Sequence, residues 1–120
     1  MHSPISIGRV YEPSSPDDGL RVLVDRLWPR GLSKNEAAVD LWPKDITPSS
    51  ELRKLYHSGS MSWDDFYKAY QRELNAADDA LQAFEQTVSG RCLRLLTAAK
   101  NLERNHAVVL REVLLRRARG

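Results

Sequence analysis

Short β-branched and aliphatic runs alternate along this chain with longer stretches of helical periodicity. That alternation limits the fold more than any other feature. Ile5, Ile7 and Val10 form an alternating pattern broken by Gly8, which predicts a strand. Leu20–Asp25 and Arg91–Thr97 are runs suited to buried strands. Val39–Trp42 predicts a further strand ending near Pro43, with Glu12–Gly19 as a loop and Asp45–Ser49 as a turn. Ser33 and Glu36 have capping-box spacing, which predicts a brief helix through Ala38. Ser49 or Ser50 caps a helix running to about Tyr56 and ended by Gly59. Ser62 starts the clearest helix, in which Trp63, Phe66, Tyr67, Tyr70 and Leu74 share a face read as core rather than as a stacking surface. A helix over residues 77–88 turns Ala80, Leu81, Phe84 and Val88 inward. A last helix, capped near Asn101, places Leu102, His106, Val109, Leu110 and Val113 on one face. Strands interleaved with helices predict an α/β fold: a small single-domain sheet over residues 1–120, at least partly parallel and packed with helices.

Charge and cysteine content exclude several classes. The formal net charge of +2 is too small to imply nucleic-acid binding by bulk charge. Arg104, Arg111, Arg116, Arg117 and Arg119 nevertheless crowd the C-terminal end. The single cysteine, Cys92, excludes an internal disulfide and any paired-cysteine zinc site, and its place at the start of an apolar run reads as a buried thiol. Histidines and carboxylates are not clustered, so no metal site is expected, and no cofactor is indicated. No apolar run approaches membrane-spanning length and no signal-peptide pattern opens the chain, so the expected location is the cytoplasm, away from a membrane.

Two strands run into segments richer in chemistry than plain turns need. Leu20–Asp25 continues into Arg26-Leu27-Trp28-Pro29-Arg30-Gly31, and Cys92–Leu96 continues into Thr97–Asn101. Ligands of open α/β sheets collect at the carboxyl ends of strands, so the two segments converge on one crevice if their strands are parallel neighbours. Arg26 and Arg30 offer charged forks for phosphate or carboxylate, Trp28 a flat face for stacking, and Gly31 a backbone with exposed amides. Asp25 can orient an arginine; the alternative is an internal salt bridge of Asp25 to Arg26 or Arg30 over a buried Trp28. Asn105 and His106 lie in the first turns of the last helix, where His106 is either an acid or base or a hydrogen-bonded core residue. Lys44, Ser49 and Arg53 extend the candidate pocket, His57 is a weaker candidate, and His2 is terminal.

The run Arg21–Leu32 (RVLVDRLWPRGL) resembles the YeaO-like bacterial proteins, a family of unknown function. Leu41–Ser49 (LWPKDITPS), Glu51–Arg53, the spaced Phe66, Tyr70, Glu73 and Leu74, and Asn105–Leu110 (NHAVVL) fit the same pattern, so the resemblance covers nearly the whole chain. It implies a compact cytoplasmic α/β domain and supplies no activity, substrate or cofactor. The residues mapping onto its motifs are Arg26, Trp28, Arg30, Gly31, Lys44, Ser49, Arg53, Asn105 and His106. The chain departs from the family pattern at Pro43 and at Lys100, where relatives often carry an acid; that departure weakens catalysis and leaves anion binding intact. Three readings stay open. The working one is a cleft for a small anionic ligand, with enzymatic activity of unknown type not excluded. The others are a nucleic-acid-binding module using one basic face, and a structural or protein-interaction domain whose Asp25, Arg26, Trp28 and Arg30 form an internal network. Oligomeric state is not encoded in any of these features.

Overall fold

A computed structural model describes residues 5–119; His2 lies outside them. Three strands, β1 (Ile5–Arg9), β2 (Leu20–Leu23) and β3 (Leu93–Thr97), form one sheet in the order β1-β3-β2, with both pairings parallel. The helices are α1 (Lys34–Ala37), α2 (Ser50–His57), α3 (Trp63–Ala76), α4 (Asp78–Val88) and α5 (His106–Arg119). The expected α/β class and parallel sheet are therefore present. No helix among the described residues is long and apolar enough to cross a membrane.

The alternation within each strand divides the molecule into two layers. Val22, Leu93 and Leu95 face the larger core, where Phe66, Tyr70 and Leu74 of α3 meet Leu81 and Phe84 of α4 and Val109 and Leu110 of α5. Ser62 caps α3 by accepting from the Asp65 amide, and Ser49 caps α2 by accepting from the Leu52 amide at 3.1 Å. Glu73 of α3 fixes Ser49 through both its backbone amide (2.9 Å) and its hydroxyl (2.6 Å), which ties α2 to α3.

The other face carries a second, smaller core of Val10, Leu23, Ala37 and Leu96, with Trp28 and Trp42 packed against it. The same face holds a charged row. Arg21 and Arg94 are direct cross-strand neighbours, an arrangement that repels unless acids intervene. The crossover between β1 and β2 supplies them. Asp18 accepts from Arg21 at 2.7 Å, and Glu12 accepts from Arg94 at 2.8 Å. Arg21 is 3% exposed and also donates to the carbonyls of Glu12 and Ala37. Gly8 lies beside this row because a Cβ there would meet the Arg94 guanidinium at 2.3 Å.

Three local expectations are corrected. Val39–Trp42 is not a strand; Leu41 makes one isolated parallel bridge to Val22, and Pro43 stops any extension. Cys92 is exposed rather than buried, because β3 starts one residue later and only its carbonyl is engaged, by the Leu20 amide at 2.9 Å. The last helix starts at His106, not near Asn101, and Leu102 is 37% exposed in the preceding loop. The Asn101 side chain caps a separate turn by accepting from the amides of Glu103 and Arg104.

Arg21→Ala would leave Asp18 and two carbonyls without their donor inside the protein. The expected cost is about 3–5 kcal/mol of unfolding free energy, read as a lower denaturant midpoint. A change within about 0.5 kcal/mol would show that the row is not a structural clamp.

Candidate functional site

β2 and β3 end side by side, with the Val24 amide donating to the Leu96 carbonyl at 3.0 Å. The next residues on both strands therefore meet. Asp25 Oδ1 accepts from the Thr97 hydroxyl at 2.7 Å and lies 2.6 Å from His106 Nε2; Oδ2 accepts from the Ala98 amide at 2.8 Å. The Asp25 carbonyl accepts from the Trp42 indole at 2.7 Å. Burial pushes the Asp25 carboxyl up, but the bond and charge of His106, the Ala98 amide and the Thr97 hydroxyl outweigh it and hold the group below its usual range. With the ionised carboxylate against Nε2, that nitrogen carries the proton and Nδ1 is the acceptor of the neutral ring.

This cluster is the floor of a cleft of about 580 Å³ at the carboxyl edge of the sheet. One wall is the loop after β2, with Arg26, Trp28 and Arg30. A second is α2, with Arg53, Tyr56 and His57, backed by Phe66. The third is the loop between β3 and α5, with Lys100 and Arg104. Tyr11 closes the edge and donates from its hydroxyl to the Arg30 carbonyl at 3.3 Å.

The walls are held by groups that do not face a ligand. Arg26 Nε donates to the Pro48 carbonyl at 3.0 Å. Trp28 donates to the Leu32 carbonyl at 2.6 Å and packs edge-on against Trp42, with ring centroids 5.4 Å apart. Tyr56 stacks on Phe66 at 4.5 Å and donates to the Arg104 carbonyl at 3.1 Å. Asn105 lines the cleft, yet both ends of its amide are engaged. Its oxygen accepts from the amides of Ala107 and Val108, capping α5, and its nitrogen donates to the Asn101 carbonyl at 2.7 Å.

Of the candidates named from the sequence, Arg26, Trp28, Arg30, Arg53, Asn105 and His106 therefore meet at the cleft, together with the weaker candidate His57. Gly31, Lys44 and Ser49 do not line it. Gly31 serves the turn through its positive φ of 77°, Lys44 lies over the Trp42 ring at 4.0 Å, and Ser49 is taken up by capping α2 and by Glu73. Asp25 pairs with His106, not with Arg26 or Arg30. Sequence reasoning places Asp25 at a strand end without making it the centre, brings the Thr97–Asn101 segment to the crevice without singling out Thr97, assigns Arg104 to a C-terminal basic face, and gives Tyr56 and Phe66 no place in the site. A polar residue closing each of two parallel strands, Asp25 and Thr97, was the available signal.

The electrostatics are lopsided. Arg26, Arg30, Arg53, Lys100 and Arg104 line the cleft with Asp25 as its one carboxylate. Among the described residues none of those five cations forms an ion pair, and Arg53 Nε is buried without a hydrogen-bond partner. Burial, then the charges of Arg53 and His106, push His57 below the usual imidazole range against the pull of Asp25. Among the described residues no group of three or more His, Cys, Asp or Glu side chains is assembled that could hold a metal ion.

A parallel three-stranded sheet with a ligand-sized cleft at its carboxyl edge defines a small open-sheet α/β protein. A family model described as "Inactive DUF488-N3 subclade" matches residues 4–119. The chain is similar to the uncharacterized protein YeaO of Escherichia coli K12, with 43% identity over 92% of this chain and 96% of that one. It is equally similar to the uncharacterized protein Rv3073c of Mycobacterium tuberculosis H37Rv, with 43% identity over 92% of each chain. The chain thus belongs to the YeaO-like family. No solved structure matches it.

Asp25→Asn tests the floor. A carboxyl held below its unfolded value stabilises the fold above that value, about pH 3.9, and loses this contribution as pH falls through its folded value. The variant is expected to be about 1–3 kcal/mol less stable than wild type at neutral pH. The gap should persist through the usual carboxylate range and close only in more acidic solution. Parallel curves for the two proteins down to the most acidic point would contradict it.

Proposed function

We propose that the protein binds a small anionic ligand, bearing phosphate or carboxylate, in the cleft at the carboxyl edge of its sheet. The observation that carries this reading is the set of five cationic side chains lining one concavity without acidic partners among the described residues. Arginine forks in a partly desolvated cleft favour oxyanions strongly, and four of the five cations are arginines.

Binding without turnover is the form of this reading that the floor supports. Asp25 has each oxygen engaged by donors from the protein, so it positions His106 rather than accepting a ligand proton. The family's description as inactive agrees with this. The loop between β3 and α5 gives little backbone help, because the amides of Ala98, Ala99, Glu103 and Arg104 already donate to side chains. The guanidiniums would carry the anion. Of the C-terminal arginines, Arg104 lines the cleft, and Arg116, Arg117 and Arg119 do not. Those three lie in the last turn of α5, about 15–20 Å from His106 at ~1.5 Å per residue, and Arg117 is paired with Asp78 and Glu85.

Calorimetric titration with pyrophosphate and with citrate checks the proposal. Expected is saturable binding that weakens with added salt and raises the thermal midpoint. Arg53→Met is expected to weaken it about tenfold, the loss of one hydrogen-bonded charge, with an unchanged circular dichroism spectrum. Heats indistinguishable from buffer for both anions in folded wild type would overturn the reading.

A further inference from the structure

The cleft is too large and too aromatic for a bare oxyanion. Water occupies ~30 Å³ in the liquid, and an inorganic phosphate only a few times that, so most of the 580 Å³ would stay filled with solvent. Cavities of this size ordinarily enclose whole organic ligands. The chemistry of the lining narrows the kind. Tyr11 and Trp28 stand on the side of the loops after β1 and β2, and Tyr56 and Phe66 on the side of α2 and α3. Tyr56 and Phe66 are already stacked, with an interplanar angle of 20°, and Trp28 is locked by its bond to the Leu32 carbonyl. Rings fixed in this way lose little freedom when another ring packs on them.

Charge is graded across the same space. Arg30, Lys100 and Arg104 are exposed at the mouth, and Arg26 and Arg53 are half-buried in the walls. The floor carries the ionised Asp25 with His106. An anionic group is attracted at the mouth and repelled at the floor, so a ligand would enter with its uncharged end first. That end faces aromatic side chains and the His106 ring.

We infer that the ligand is a ring-bearing organic anion, an aryl or heteroaryl phosphate or carboxylate. Its planar ring is seated between the Trp28 and Tyr56 sides of the cleft, and its charged group is held by Arg30 and Arg104 at the mouth and by Arg53 in the adjoining wall. This rests on the anion-binding reading above and names the ligand class of that same site.

Matched probe pairs separate the two. Phenyl phosphate is titrated against methyl phosphate, and benzoate against acetate, at one ionic strength. The expected result is binding about tenfold or more tighter for the ring-bearing member of at least one pair, the gain typical of stacking on a protein aromatic. Tyr56→Leu should erase that advantage, bringing phenyl phosphate down to the affinity of methyl phosphate on the same variant. Tyr56→Phe, which keeps the ring and loses only the bond to the Arg104 carbonyl, should retain it, so a folding defect is told apart from a lost ring. Equal affinities within both pairs would overturn the ring inference and leave anion binding standing. No binding of any of the four probes, together with none of pyrophosphate or citrate, would remove both.

Discussion

Three parts of the chain that are far apart in sequence meet on the carboxylate of Asp25. It closes β2, takes a hydroxyl and an amide from the end of β3, and pairs with the first residue of α5. Its own carbonyl holds the Trp42 indole. Burying a carboxylate is costly, and three donors converging on two oxygens offset that cost. The distances among the strand ends, α5 and the Trp42 segment are thereby fixed together. The cleft has a defined floor because this cluster leaves the ends of β2 and β3 little room to splay.

The acids of the chain are disposed so that this edge of the sheet remains cationic. Sixteen carboxylates nearly balance eighteen lysines and arginines in the whole sequence. The adjacent Arg21 and Arg94 draw Glu12 and Asp18 to the crossover, and Arg117 draws Asp78 and Glu85 to the junction of α4 and α5. Those pairs lock the crossover over one face of the sheet and fasten the far end of α5. Among the described residues the arginines around Asp25 have no such partners. A near-neutral total therefore conceals a strongly uneven field, which is why net charge says little about what this protein binds.

Much of the fold could be read from local pattern. The strand runs, the capping serines at 33, 49 and 62, and the aromatic face of α3 are decided by neighbours within a turn or two, where sequence periodicity speaks directly. The failures lie where tertiary contacts decide. Leu41 has the composition of a strand, but pairing at Val22 stops after one bridge. Asn101 and Asn105 are both fit to cap a helix, and only Asn105 sits where α5 begins. At the cleft, Arg26, Arg30, Arg53 and His106 were legible because charged or titratable residues stood out near strand and helix ends. Lys44 and Ser49 looked equally suitable, yet one is drawn onto Trp42 and the other to Glu73, contacts that spacing cannot reveal. Trp28 was read for its face, whereas its indole N–H and its packing against Trp42 make it part of the wall.

The separation between floor and mouth bears on how a cleft can keep recognition without chemistry. General acid–base catalysis needs a group able to exchange a proton with the ligand, within reach of it. Asp25 already accepts from Thr97, Ala98 and His106, and an arginine guanidinium stays charged at any physiological pH. His106 shares Asp25 Oδ1 with the Thr97 hydroxyl, and among the described residues no group of three or more His, Cys, Asp or Glu side chains stands there to hold a metal. On the proposed reading, oxyanion affinity would draw on different groups altogether, the guanidiniums of the walls and mouth that form no ion pair among the described residues. On the reading proposed above, changes confined to the floor would leave that affinity nearly intact, and loss of a wall arginine would weaken binding while the fold, which Asp25 holds, stays as it is.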